Sequence, residues 1–145
     1  MPLPKPVQGL VIRYSYLWRS EYLRGQEEGV KDRPCAVVLV TKTEDDDEVV
    51  TVLPITHTPP ADHLFAVEIP CATKERLGLD AERSWIMLSE ANRFVWPGPD
   101  LRPLRNEDIS SVALGLLPYN LAEEIRLKFI ADLKARRSQV VARTD

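Results

Sequence analysis

The sequence is almost without cysteine: Cys35 and Cys71 are the only two in 145 residues. They match no C-x-x-C or zinc-ligand spacing, which argues against a zinc ribbon or a disulfide-stapled scaffold. They read as reduced, small apolar residues, and the expected compartment is the cytoplasm. No apolar run approaches the roughly 18 residues that a membrane-spanning helix needs, so no membrane partner is expected. The opening "MPLPKPVQG" holds three prolines and no apolar stretch, so it does not read as a signal peptide. An excess of positive charge is lacking too. With a net charge of −3 and a pI of about 5.5, the chain as a whole does not read as a nucleic-acid binder. A local basic cleft can still act against an acidic average. There is no internal repeat and no low-complexity block.

What is present is a soluble globular composition, 44% hydrophobic and 28% charged, of a length that suits one domain. Between Gly9 and Trp18 the residues Leu10, Ile12, Tyr14, Tyr16 and Trp18 alternate with Arg13 and Ser15, the period of a half-buried strand. A long polar stretch from Arg19 to Asp32 follows and reads as a loop. Cys35–Thr41, Val49–Ile55, Phe65–Ile69, Ser84–Ser89 and Arg93–Trp96 are further strands, with "EAN" as a bend before the last. The acidic run "KTEDDDE" reads as a solvated hairpin tip. "ATKERLGL" predicts a short helix with Thr73 near its start and Gly78 as its left-handed stop.

The last third changes character. Asn120–Arg137 has an apolar stripe at Leu121, Ile125, Phe129, Ile130 and Leu133, and Glu124–Lys128 and Asp132–Arg136 at i,i+4 spacing. Asn120 and Glu123 have the spacing of a capping box. Residues 106–117 suggest a second helix, and the tail from Ser138 is expected to fray. Six short strands without a helix between each successive pair exclude a parallel α/β fold. They predict a small antiparallel barrel or sandwich with a C-terminal helix, an α+β protein. The expected single domain, 1–145, has its barrel over about 9–96, its helical part over about 106–137 and its tail over 138–145.

Two motifs line up within this frame. "GVKDRPCAVVLV" is a glycine-bearing loop ending in Arg33–Pro34 at the mouth of a strand. "VVTVLPITHT" is the next strand, ending in Pro54–Ile55–Thr56. The pair resembles the PemK/MazF/Kid toxins of bacterial toxin–antitoxin modules, over roughly Gly9 to Val95. The resemblance implies an SH3-like barrel, a homodimer and a cognate antitoxin. It also implies cleavage of single-stranded RNA by attack of the ribose 2′-hydroxyl, without a metal or other cofactor. It puts the family's loop arginine on Arg33 and its threonine on Thr56. Where relatives usually have serine, this chain has His57. Ser89, Glu90 and Arg93 in "LSEANRF" correspond to a third functional region, with one residue of extra spacing.

The chemistry suits those residue types. An arginine stays charged and offers a fork of donors to phosphate, so Arg33 is placed to stabilise the charge developing on the phosphorane. Thr56 can donate to a phosphate oxygen. Histidine exchanges protons near neutrality, which makes His57 an acid–base candidate. Arg19, Lys31 and Thr58 are candidate substrate contacts. Blander readings stand beside these. Arg33 is equally a loop residue with a surface ion pair, Thr56 a strand-end residue bonding its own backbone, and His57 a solvated loop side chain. A non-catalytic interaction domain on the same barrel is the alternative function. A basic surface around Arg33 separates the two.

Overall fold

The computed structural model describes residues 3–26, 29, 31–104, 109–135 and 138–143. Among them, eight strands form one mostly antiparallel sheet with three helices. β1 (Leu10–Tyr14), β2 (Arg33–Lys42) and β3 (Glu48–Thr56) are its centre. β2 and β3 are a hairpin whose tip is the exposed acidic run, with Lys42 paired to Asp46 at 3.3 Å. β4 (Ala66–Glu68), β5 (Trp85–Met87) and β6 (Glu90–Val95) complete the six strands expected from the sequence. The "EAN" segment is the start of β6 rather than a bend.

The strand order is β4-β5-β3-β2-β1-β7, where β7 is Ala113–Leu116, and the sheet does not close on itself into a barrel. β3 has two partners on one side. Val49–Val52 pair with β6, and Ile55–Thr56 pair with β5. Pro54 lies in that changeover. A residue without an N–H is tolerated in a central strand only where a ladder is interrupted, and this one sits where the partner changes.

Alternation along the central strands feeds two apolar clusters. Val11, Ala36, Val38, Leu53 and Ile55 belong to one, Ile12, Cys35, Val37, Val50 and Val52 to the other. Being buried on both faces explains why "CAVVLV" is continuously apolar. The first cluster is covered by Leu77 of α2 (Cys71–Leu77) and by Ala122, Ile125 and Phe129 of α3 (Tyr119–Lys134). The second is closed by Tyr14 stacked on Phe94 at 4.8 Å, with Leu101 and Val112.

Several expectations need correction. The polar stretch after Trp18 is not all loop: Arg19–Leu23 is a short helix, α1, and the Glu21 side chain accepts the Trp18 N–H. Residues 106–117 are not a second α-helix. Ile109–Val112 is one 3-10 turn and β7 follows it, while 105–108 lie outside the described residues. The Asn120–Glu123 capping box is not formed. Pro118 precedes the first helical residue, so Asn120 is inside α3, and Glu123 instead pairs with Gln8 and Arg126. The Glu124–Lys128 pair forms at 2.7 Å, whereas Arg136 lies outside the described residues. Residues 138–143 do not fray. Gln139–Ala142 is β8, parallel to β6, and Arg143 is buried beyond it.

Candidate functional site

A cleft of about 860 Å³ opens where the end of β3 meets the start of β2. Its walls carry Lys31, Asp32 and Arg33 from one side and Thr56, His57 and Thr58 from the other. Both segments reach it because β2 and β3 are antiparallel neighbours, so the entry to one lies beside the exit of the other. Pro59 and Pro60 prolong the second wall, Leu79 and Asp80 close the far side, and Trp18 lies beside Arg33.

The loop before Arg33 is held by a close approach. A Cβ on Gly29 would overlap the carbonyl oxygen of Tyr16, so this glycine lets the loop lie directly on the backbone leaving β1. Arg33 then passes over the Trp18 ring, its guanidinium carbon 4.9 Å from the ring centre. The Trp18 ring meets Tyr16 edge-on at 5.1 Å. Among the described residues no carboxylate pairs with Arg33, and its buried Nε has no hydrogen-bond partner. An unsatisfied buried donor costs free energy and is an observation that needs an explanation.

The two carboxylates that line the cleft are both engaged. Asp32 faces Arg102 at 3.4 Å and Arg13 at 3.8 Å. Asp80 faces the Lys74 ammonium at 3.1 Å and Nε2 of His57 at 2.8 Å. The Lys74 hydrogen bond, followed by that of His57, holds the Asp80 carboxyl below its ordinary value. Arg33 and Lys31 therefore stand on this wall as cations without a carboxylate partner among the described residues.

Thr56 Oγ1 accepts the N–H of Thr58 at 3.1 Å, a local turn that ends β3. The bond occupies the oxygen and leaves the hydroxyl hydrogen to donate elsewhere. His57 follows, half exposed, with Nε2 at Asp80 and Nδ1 3.4 Å from Glu82. His57, Asp80 and Glu82 present ligand atoms within 4.8 Å of one another, a set from which a divalent cation could be held. The Lys74 ammonium already supplies a positive charge to the same carboxylate.

The cleft thus gathers Arg33, Lys31, Thr56, His57 and Thr58. It does not gather the others. Arg19 begins α1, and its backbone N–H donates to Glu90 Oε1 at 2.9 Å. Glu90 also accepts the Tyr16 hydroxyl at 3.1 Å, and burial pushes its carboxyl above the ordinary range. Glu90 is therefore a strap between β6 and the chain leaving β1. Ser89 gives its carbonyl to Gln139 of β8, and Arg93 is exposed on β6. Sequence reasoning missed Trp18, Lys74, Asp80 and Glu82 as site residues. No motif joins them to the two walls: Trp18 arrives on the segment leaving β1, and α2 and the turn after it bring Lys74, Asp80 and Glu82 there only in the fold.

A family model described as PemK-like, MazF-like toxin of type II toxin–antitoxin system matches residues 18–94, more than half of the chain. No curated protein and no solved structure matches the chain. The matched segment contains every residue that lines the cleft.

Proposed function

We propose, for a chain that belongs to the PemK-like, MazF-like toxins of type II toxin–antitoxin systems, that it is an endoribonuclease acting on single-stranded RNA without a metal. Membership of such a system implies an antitoxin partner. The observation that carries the activity is the pairing of Arg33 and Thr56 in one cleft, with Arg33 Nε buried and lacking a partner. A phosphate seated there would receive that donor.

In this reading the ribose 2′-oxygen attacks phosphorus and the bond to the 5′-oxygen breaks, leaving a 2′,3′-cyclic phosphate and a 5′-hydroxyl. Arg33 stabilises the charge that accumulates on the equatorial oxygens. Thr56 donates its hydroxyl hydrogen to one of them. The 2′-hydroxyl loses its proton and the departing 5′-oxygen gains one; His57, with Nε2 at Asp80, carries one of these transfers through Nδ1 and water carries the other. Lys31 and Thr58 hold neighbouring phosphates and sugars. The same reading takes β1–β6 as an opened SH3-like barrel extended by β7, α3 and β8, working as a cytoplasmic homodimer.

A non-catalytic binding domain is the second reading. It draws on the engagement of Thr56 with Thr58 and of His57 with two carboxylates. Incubation of the protein with single-stranded RNA in EDTA separates the two. Products ending in 2′,3′-cyclic phosphate, lost in Arg33→Ala by roughly 10²–10³-fold in kcat, are the expected result. Intact RNA of every sequence tried, with a folded protein, overturns it.

A further inference from the structure

The Lys74 ammonium is the unexpected group beside the cleft. Lysine is almost never fully buried unless paired, yet Lys74 is 4% exposed and its Nζ sits 3.1 Å from Asp80 Oδ1. It reaches that place through a built turn. α2 ends with Gly78 in the left-handed region at φ 73°. The Gly78 N–H bonds to the Glu75 carbonyl at 3.1 Å, and the Leu79 N–H to the Lys74 carbonyl at 2.9 Å. This is the Schellman pattern, which reverses the chain on a residue without a Cβ. The reversal sets Asp80 against the same helix that carries Lys74.

Asp80 is then shared. Its Oδ1 takes the Lys74 ammonium and the Glu82 N–H, both at 3.1 Å, and both its oxygens lie against His57 Nε2, Oδ1 at 3.0 Å and Oδ2 at 2.8 Å. An exposed carboxylate held from behind by a buried cation is oriented before any ligand arrives. A carboxylate on one ring nitrogen fixes which nitrogen of an imidazole carries the proton and which way the ring faces.

We propose that Lys74 and Asp80 are positioning residues for His57: Lys74 anchors Asp80, and Asp80, the nearer of the two carboxylates on the ring, holds the Nε2–H form against Glu82, which lies 3.4 Å from Nδ1, so that Nδ1 is the nitrogen left to exchange a proton with substrate. The proposal rests on the ribonuclease reading for its effect on rate, but not for its effect on the ring. An apolar residue at position 74 would fill the same space, so a purely structural lysine gives no reason for the Asp80–His57 contact to depend on it.

The test uses the full chain labelled with ¹⁵N and reads the ring nitrogen shifts of its two histidines, with exposed His63 as internal reference. In the parent protein the neutral His57 ring is expected in one tautomer, with Nδ1 unprotonated. Asp80→Ala and Lys74→Met should each produce a mixture of both forms, while His63 stays unchanged. With RNA, each variant should lose about ten- to a hundredfold in kcat at constant KM, the range for residues that orient a working histidine. The double variant Lys74→Met/Asp80→Ala, which leaves no buried ammonium without its carboxylate, keeps the test available should a single variant fail to fold. Ring shifts identical in parent and folded variants overturn the proposal. A tautomer change in a protein that cleaves no RNA would leave the positioning role standing and remove the ribonuclease reading.

Discussion

Among the described residues Arg33 is met by an indole ring rather than by a carboxylate, and this decides how it should respond to substitution. A guanidinium on an aromatic face keeps its donors aimed outward, whereas a salt bridge would consume them. Arg33→Lys retains the charge but loses both the fork and the flat stacking surface. RNA cleavage by Arg33→Lys should therefore fall nearly as far as for Arg33→Ala, while affinity for RNA falls less. Single-turnover cleavage beside filter binding measures the two separately. Parent-like cleavage by Arg33→Lys would reduce Arg33 to a point charge. Glu90 gives a prediction of a different kind. Burial raises its carboxyl above the ordinary value of 4.5, so the folded state holds that proton more tightly than the unfolded chain. Stability is then lost as pH rises from that value towards the raised one. Glu90→Gln can still accept both hydrogen bonds and carries no charge. Its Tm should exceed the parent's at neutral pH, with the difference vanishing below pH 4.5. A lower Tm at neutral pH would mean the charge itself is needed there.

Elements, rather than single side chains, decide whether these residues meet. The loop entering β2 is seated by Gly29 against the Tyr16 carbonyl. Gly29→Ala must push that loop outward and carry Arg33 off the Trp18 ring. The expected outcome is loss of cleavage with a smaller loss of stability, and reduced quenching of Trp18 fluorescence as the guanidinium leaves. A fully active Gly29→Ala would show that the loop seats elsewhere. α3 carries a pH signature opposite to that of Glu90. Arg126, then Gln8, pull the Glu123 carboxyl down to about 2 from 4.5, so its contribution is present above 4.5 and lost as pH falls towards 2. Glu123→Gln should lower Tm at neutral pH and match the parent at about pH 2; a deficit constant across that range would point to packing instead. How much of this could be read in advance follows from the elements too. β1 to β6 were legible because alternation and β-branched runs mark strands whatever their partners. The turn at Gly78 was legible because only glycine suits it. α1 is only five residues long, and β7 and β8, with the sequences ALGL and QVVA, show no alternation of apolar and polar residues to mark them. The walls at Arg33 and Thr56 carried a motif, whereas Asp80 and Lys74 become neighbours of His57 only through the path of α2.

For the whole molecule, a sheet buried on both faces needs covers on both, and the C-terminal third supplies them. α3 covers one cluster, and β8 then runs alongside β6 to bring Arg143 into the other side of the sheet. There Arg143 meets the Ser15 carbonyl at 2.8 Å, Asn92 at 3.1 Å and the Asp100 carboxylate at 2.9 Å. Asn92 in turn exchanges two hydrogen bonds with the Leu17 backbone. The end of the chain is thus tied to the segment that leads from β1 to Trp18, the ring beneath Arg33. Both members of the Arg143–Asp100 pair are buried, and breaking a buried pair by removing one member costs on the order of 3–5 kcal/mol. Arg143→Met should show that loss in urea unfolding. Adding Asp100→Asn should recover part of it, because the variant then buries one charge fewer. If Arg143 served only its own strand, the single variant would be near the parent and cleavage would be unaffected. If it holds the Trp18 segment as the hydrogen bonds indicate, Arg143→Met should also lower RNA cleavage under conditions where the variant remains folded. The double variant should then recover stability without recovering activity, since Asp100→Asn relieves the charge but restores none of the bonds to Ser15 and Asn92.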